Sequence, residues 1–476
     1  MDIVKNDANI IIKFFSAKYM LKQHQIIGDI PSTKQLYGNV LAMSWPSVIE
    51  AVLISLISSV DTIMVSSLGS GAIAAVGITN QPKFVLLATI ISLNVGVTAV
   101  IARRKGAKDS VGANNCLKQG IMLSVILSAF LSAAGYGFAQ PILKFAGANE
   151  SYIADAVTYF RIIVLGNFFY SIGLTITAAQ RGAGNTKISM RTNLAANLVN
   201  LVFNYLLING ILFFPALGIK GAAIATALGN FVSFVMAVYS VLKRGEFLSI
   251  ISSSAGWHFD KTTLSGVLNV SSSAFVEQVF MRIGFFSYAK MVAALGTLEF
   301  ATHQICMNIL NLSFAFGDGI SIAASSLVGQ SLGAKRPDIA IIYGKTAQRI
   351  AFCVSSVLFF VFLLGRYFWV SLFTDDANII ALGAPLLIII AFITHLQTSQ
   401  VLLTGCLRGA GDTFFVAIVS LVSVTIIRPF FAWLFCFYFG FGLVGAWSSL
   451  FFDQGIRFAA NFIRFSGGNW TKKKLG

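Results

Sequence analysis

Charge is what this sequence has least of. Only 11% of its 476 residues are Asp, Glu, Lys or Arg, against about 25% in an ordinary soluble domain. Acidic residues are scarcest, 18 against 34 basic ones. With 56% hydrophobic residues, such a chain cannot clothe a water-facing surface, and its solvent is lipid. Other absences narrow the reading. The five cysteines (116, 306, 353, 406 and 436) are odd in number and lack C-x-x-C spacing, so they read as packing residues rather than disulfides or metal ligands. No metal-ligand spacing, nucleophile–base pair or phosphate loop stands out, which argues against an enzyme. There is no secretory signal either: Lys13 and Lys18 interrupt the apolar residues at 10–12, and no small-residue cleavage site follows. Strand-period alternation is weak, which leaves helices rather than a barrel to cross a bilayer.

What the sequence does have is long apolar runs. A span needs about 20 mainly apolar residues. Twelve such stretches fall near 39–67, 76–101, 119–140, 155–179, 191–214, 221–242, 265–294, 302–330, 347–370, 378–405, 413–437 and 441–463. The net charge of +16 would suit nucleic acid, but its placement says otherwise. Counted from an inside N-terminus, one set of connections collects Arg103, Arg104, Lys105, Lys108, Arg181, Lys187, Lys243, Arg244, Lys261, Lys335, Arg336 and Arg408. The opposite connections hold Lys144, Lys220 and Arg366, with an acidic pair at Asp375 and Asp376. That is the positive-inside pattern, so both termini are expected in the cytoplasm and no nucleic-acid partner is expected. Residues 9–21 alternate apolar and basic residues and read as an interfacial helix on the membrane surface.

The chain also repeats itself. "RGAGNT" at 181–186 returns as "RGAGDT" at 408–413, and 408 − 181 = 227. "LGSGAIAAVG" from Leu68 meets "LGTLEFATHQ" from Leu295, and "GAK" at 106–108 meets "GAK" at 333–335, both at the same offset of 227. "GIKGAA" from Gly218 meets "GLVGAW" from Gly442 at an offset of 224. Each half holds six spans, an even number, so both halves enter the membrane the same way round and are related by an axis along its normal. The expected fold is an all-α membrane protein of twelve transmembrane helices in two pseudo-twofold-related six-helix lobes. A tail at 1–38 precedes a first lobe at 39–243, a linker at 244–264, a second lobe at 265–463 and a basic tail at 464–476. RGAG is then the turn after the fourth helix of each half, with Arg181 and Arg408 at the helix ends.

Ionisable residues inside apolar spans are costly and mark function by default. Span 1 carries Glu50 and Asp61, eleven residues apart. Eleven steps of about 100° return to within about 20° of the start, so both acids share one stripe, with Ser47, Ile54 and Ser58. Glu277 is Glu50 shifted by 227, whereas Asp61 maps onto Tyr288 and so has no carboxylate counterpart. Span 5 carries Asn193, Asn197, Asn200 and Asn204 at steps of four, three and four, one carboxamide stripe that can coordinate a cation or bond across helices. Arg282, Lys290, His303, His395 and Asp318 have readier structural readings.

"VDTIMVSSLGSGAIAAVG" at 60–77, the paired RGAG turns and "AASSLVGQSLGAKRPDIA" at 323–340 resemble the multidrug and toxic compound extrusion family. The resemblance runs from about residue 40 to 463. It implies two six-helix lobes and an antiporter that exports organic cations by alternating access in exchange for Na⁺ or H⁺, with no other cofactor. By the family's pattern, Asp61, Asn200, Asn204 and Thr226 would hold the coupling cation, with Na⁺ a candidate at Asp61, Asn200 and Asn204. Glu277, Glu50, Gln397 and Tyr288 are the candidates for substrate or proton. One subgroup carries an acid in helix ten; here "HLQTSQ" at 395–400 offers only amides and imidazole, so that subgroup's proton relay does not carry over. The protein is expected to work as a monomer in the plasma (inner) membrane. A lipid-linked precursor flippase of the wider superfamily is the alternative, though such proteins favour fourteen spans and a cationic cavity.

Overall fold

The computed structural model describes residues 13–21, 25–66, 68–211, 214–251 and 256–473. Twelve long helices run through them: α1 Thr33–Ser66, α2 Ser70–Gly106, α3 Ser110–Gly137, α4 Ile153–Gly182, α5 Thr186–Asn209, α6 Ile219–Leu242, α7 Lys261–Ala293, α8 Thr297–Gly333, α9 Pro337–Leu364, α10 Ala377–Gly409, α11 Thr413–Tyr438 and α12 Gly442–Ser466. Among the described residues nine helices are long and apolar enough to cross a membrane. The other three, α5, α7 and α12, are diluted by the asparagine stripe, by Glu277, Arg282 and Lys290, and by Asp453, Arg457 and Arg464. These three helices thus owe their lower hydropathy to the polar and charged side chains they carry.

The repeat is visible in the backbone. Short helices follow α3 and α9 at Ala139–Phe145 and Arg366–Ser371, and 366 − 139 = 227. The only described non-glycine residues with positive φ are Lys108 (58°) and Lys335 (59°), the last residues of the two GAK triplets. The RGAG turns explain their own spelling. A Cβ at Gly182 would lie 2.6 Å from the Thr98 carbonyl oxygen, and one at Gly409 would lie 2.1 Å from that of Ser325. The first glycine therefore lets α4 lie against α2, and α10 against α8. The second, Gly184 or Gly411, sits at φ 93° or 83°, a conformation that favours glycine.

Contacts divide the chain into two compact units. One holds residues 1–48 and 276–475, the other 49–275. The divisions fall inside α1 and α7 and obey the repeat, since 276 − 49 = 227. The packing explains them. Leu36 and Val40, on the first turns of α1, are buried in one cluster with Ile320, Ala324, Leu402 and Leu407 of α8 and α10. Val267, on the first turns of α7, is buried with Leu93, Val97, Leu117 and Ile176 of α2, α3 and α4. The reading of lobes at 39–243 and 265–463 therefore sits beside units whose borders run through helices rather than between them.

Of the segment read as an interfacial helix, 9–12 lies outside the described residues. Its remainder packs inside the first unit: Ala17 and Met20 are buried, and Lys345 Nζ donates to the Met20 carbonyl at 2.6 Å.

Candidate functional site

In the second unit α1 and α5 are tied at two levels. Glu50, 8% exposed, accepts through Oε1 from Ser189 Oγ (3.0 Å) and from Asn193 Nδ2. Eleven residues further on, Asp61 Oδ1 accepts from Asn204 Nδ2. The pairs 50/193 and 61/204 both differ by 143, so the two helices run in the same direction with the acids facing the asparagine stripe. Of the expected stripe-mates of the acids, the Ser58 side chain lies outside the described residues.

Around Asp61 the structure brings together all four residues expected to hold a cation. Asn204 Nδ2 lies 3.4 Å from Asn200 Oδ1, Asn200 Nδ2 donates to Thr226 Oγ1 at 3.1 Å, and Thr226 Oγ1 donates to the Ala222 carbonyl at 3.0 Å. A cavity of about 200 Å³ opens beside them, lined by Asp61, Asn193, Asn197, Asn200, Thr226, Asn230 and Tyr170 with apolar residues between. The Asn204 side-chain oxygen, Oδ1, is buried with no hydrogen-bond partner. An orphaned oxygen beside a carboxylate suits a cation that needs oxygen ligands and carries one charge. Asn197 donates within its own helix to the Asn193 carbonyl at 2.8 Å. Lys83 of α2 is a residue that the sequence reading passed over. Half-buried, it lies 5.6 Å from the Phe84 ring centroid and interacts electrostatically with Asp61. It was findable as a lone ionisable residue in an apolar span.

The first unit repeats half of this arrangement. Glu277, 2% exposed, accepts from Ser420 Oγ at 2.9 Å, and Ser420 is Asn193 shifted by 227. Its other oxygen accepts from Arg408 of the RGAG turn at 2.8 Å. Arg408 thus turns inward to an acid. The remaining candidates stand apart from Glu277. Tyr288 donates to the Ala446 carbonyl at 3.0 Å, and Gln397 accepts from Ser313 Oγ at 3.2 Å. His395 shares a 2.8 Å hydrogen bond with Ser355 Oγ, while His303 is buried beside Tyr288 and Trp447.

A further cluster was missed. Asp453, wholly buried, accepts from Ser423 Oγ at 2.6 Å, from Arg457 at 2.9 Å and from Arg428. Arg428 also lies over the rings of Phe285 (5.1 Å) and Tyr288 (5.7 Å) and stands between two π-helical stretches of α11, Leu421–Ile427 and Leu434–Tyr438. In the other repeat Asp453 is matched by Gly229 (453 − 229 = 224), which packs on the Ala196 carbonyl. A glycine contact in one half has become a buried ion cluster in the other.

A polar cavity with one acid, set among membrane-spanning helices, serves a passenger rather than a reaction: this is a multi-pass membrane transporter. The chain belongs to the MatE family, whose profile matches it twice, at 46–206 and 273–434. The two matches begin 273 − 46 = 227 residues apart, the offset of the internal repeat. The chain is 28% identical over 450 residues to a probable multidrug resistance protein NorM of Thermotoga maritima, covering 94% of this chain and 95% of that one. It is 25% identical over 443 residues to the uncharacterized transporter YisQ of Bacillus subtilis, covering 92% and 96%. In fold it is similar to an outward-facing multidrug resistance MATE family transporter, with TM-score 0.85 and 22% identity over 94% of this chain and 98% of that chain.

Proposed function

We propose that this protein is a plasma-membrane antiporter that exports organic cations in exchange for Na⁺ or H⁺, with Asp61 as the coupling group. The observation that carries the reading is the Asp61–Asn204–Asn200–Thr226 chain beside a cavity, with the Asn204 side-chain Oδ1 unpartnered. A cation seated there gains the carboxylate and two or three neutral oxygens; a proton needs the carboxylate alone. Exchange requires the ion and the substrate to favour different conformations, because differential affinity is the only means by which a ligand shifts an equilibrium. Ion binding at Asp61 favours the state that releases substrate outward. Glu277 is the second group for substrate or proton, and a cation arriving there must first displace Arg408. The described residues lining the Asp61 cavity include no Lys or Arg, and Lys83, which interacts with Asp61, is not among them. That favours cationic cargo over the lipid-linked phosphates a flippase would carry.

Asp61→Asn removes the charge with almost no change of volume. It is expected to leave equilibrium dye binding within about twofold while lowering gradient-driven efflux by at least about tenfold, within the usual range of coupling energies. The assay is efflux of a fluorescent cation from vesicles under a Na⁺ or an H⁺ gradient, each imposed alone, at matched protein abundance. Wild-type uphill transport by the variant would move the coupling site elsewhere.

A further inference from the structure

A second cavity, of about 350 Å³, lies where α4 ends, α5 begins and α6 ends. Lys187, Arg191 and Lys243 line it, with Glu246 as its one acid. All four are exposed, and none forms an ion pair among the described residues. Three cations against one carboxylate leave the mouth of the cavity with a net positive charge, a field that draws anions.

The repeat shows that this arrangement is particular to one half. Asn185 and Ser240, both in the cavity wall, correspond to Asp412 (412 − 185 = 227) and Arg464 (464 − 240 = 224). In the first unit those two form an ion pair at 2.7 Å, Lys473 adds a second cation at 3.4 Å, and the guanidinium lies 5.1 Å from the Phe415 ring centroid. That half fills the place with its own charges. In the second unit the neutral pair leaves it open, and the cations at its mouth are additions of this half, since Lys187, Arg191 and Lys243 match Phe414, Ile418 and Gly467.

The surroundings say where a replacement anion would come from. Phe231, Val235, Tyr239 and Leu242 of α6 are all exposed, and their steps of four, four and three form one apolar stripe. The stripe ends at the cavity, where Tyr239 is part of the wall and Lys243 Nζ lies 5.5 Å from its ring centroid. A ligand with a phosphate at one end and an acyl chain at the other matches both features; basic pockets between helix ends at the membrane surface take such headgroups.

We propose that the cavity between the ends of α4, α5 and α6 binds the headgroup of an anionic phospholipid, with Lys187, Arg191 and Lys243 on the phosphate and the α6 stripe along the acyl chain. The test is native mass spectrometry of the full chain released from micelles doped with phosphatidylglycerol or with phosphatidylcholine. Wild type should retain phosphatidylglycerol in preference. Each of Lys187→Gln, Arg191→Gln and Lys243→Gln should weaken retention about fivefold, and Glu246→Gln should strengthen it. That opposite sign cannot come from misfolding, so the test stands even if one of the lysine or arginine variants fails to fold. Equal retention of phosphatidylglycerol by wild type and all the single variants would overturn the proposal. So would equal retention of phosphatidylcholine. Displacement of phosphatidylglycerol by millimolar inorganic phosphate would make this a site for a soluble anion instead.

Discussion

The residues that most constrain this chain are small. Gly182 and Gly409 stand where a single methyl group would meet the backbone of the neighbouring helix, and the obstructing atom is a carbonyl oxygen that cannot rotate away. Gly409→Ala is therefore expected to lower stability by about 1–3 kcal/mol, the usual cost of overpacking. Thermal unfolding of the purified protein in detergent would measure it, and an unchanged midpoint would mean that α10 can slide on α8. Gly455, whose Cβ would meet only the tip of Leu396 at 3.7 Å, is the control. RGAG was legible as a doubled motif because two copies lie in one chain. The reason for its glycines was not, because Thr98 and Ser325 lie far away in sequence. The same holds for the candidate site. Asp61, Glu50 and the asparagine stripe could be read from helical spacing on single helices. The inward turn of Arg408 to Glu277 and the gathering of Arg428, Asp453 and Arg457 depend on which helices are neighbours, and no spacing within one helix reveals that.

At the scale of elements, α12 carries the heaviest electrostatic demand. Asp453 holds two buried guanidinium groups, Arg428 at 3% and Arg457 at 6% exposure. Removing the shared acid leaves both charges desolvated without a partner. Asp453→Leu should cost about 3–5 kcal/mol, while replacing Arg428 and Arg457 by Leu and Met in the same chain should restore most of it. Unfolding midpoints of the single and triple variants would measure both effects; a harmless Asp453→Leu would mean that water reaches the cluster. The long helices were easy to read as elements because a soluble core rarely needs an apolar run of such length, whereas a bilayer demands one. The helices at 139–145 and 366–371 were not read, since six or seven residues carry too few turns to show a period. The π-helical stretches of α11 were equally invisible, because a change of hydrogen-bond register leaves composition untouched.

At the scale of the molecule, the distribution of basic residues still makes its own prediction. With cytoplasmic termini, a cysteine at Thr374, between α9 and α10, should react with an impermeant reagent added to intact cells. One at Ser110, the first residue of α3, should not. The background must lack Cys353, which is exposed. The reverse pattern would invert the orientation. The duplication was legible throughout, since windows spread over the chain share an offset of 227, shortened to 224 in the last helices, yet the borders of the units were not. Hydropathy marks where a helix crosses a membrane and is silent about its neighbours, so nothing in the runs said that α1 and α7 would each belong to both units. That division has a consequence for the order of events on the ribosome. Residues 49–275 hold everything their unit needs, so its core can close while the rest is still being made. The other unit cannot close so early. Leu36 and Val40 are buried in one cluster with Leu402 and Leu407, and 402 − 36 = 366 residues of synthesis separate the first of them from its partners. The start of α1 must wait for α10 to be made. It is there that chaperones, or the lipid itself, have longest to act.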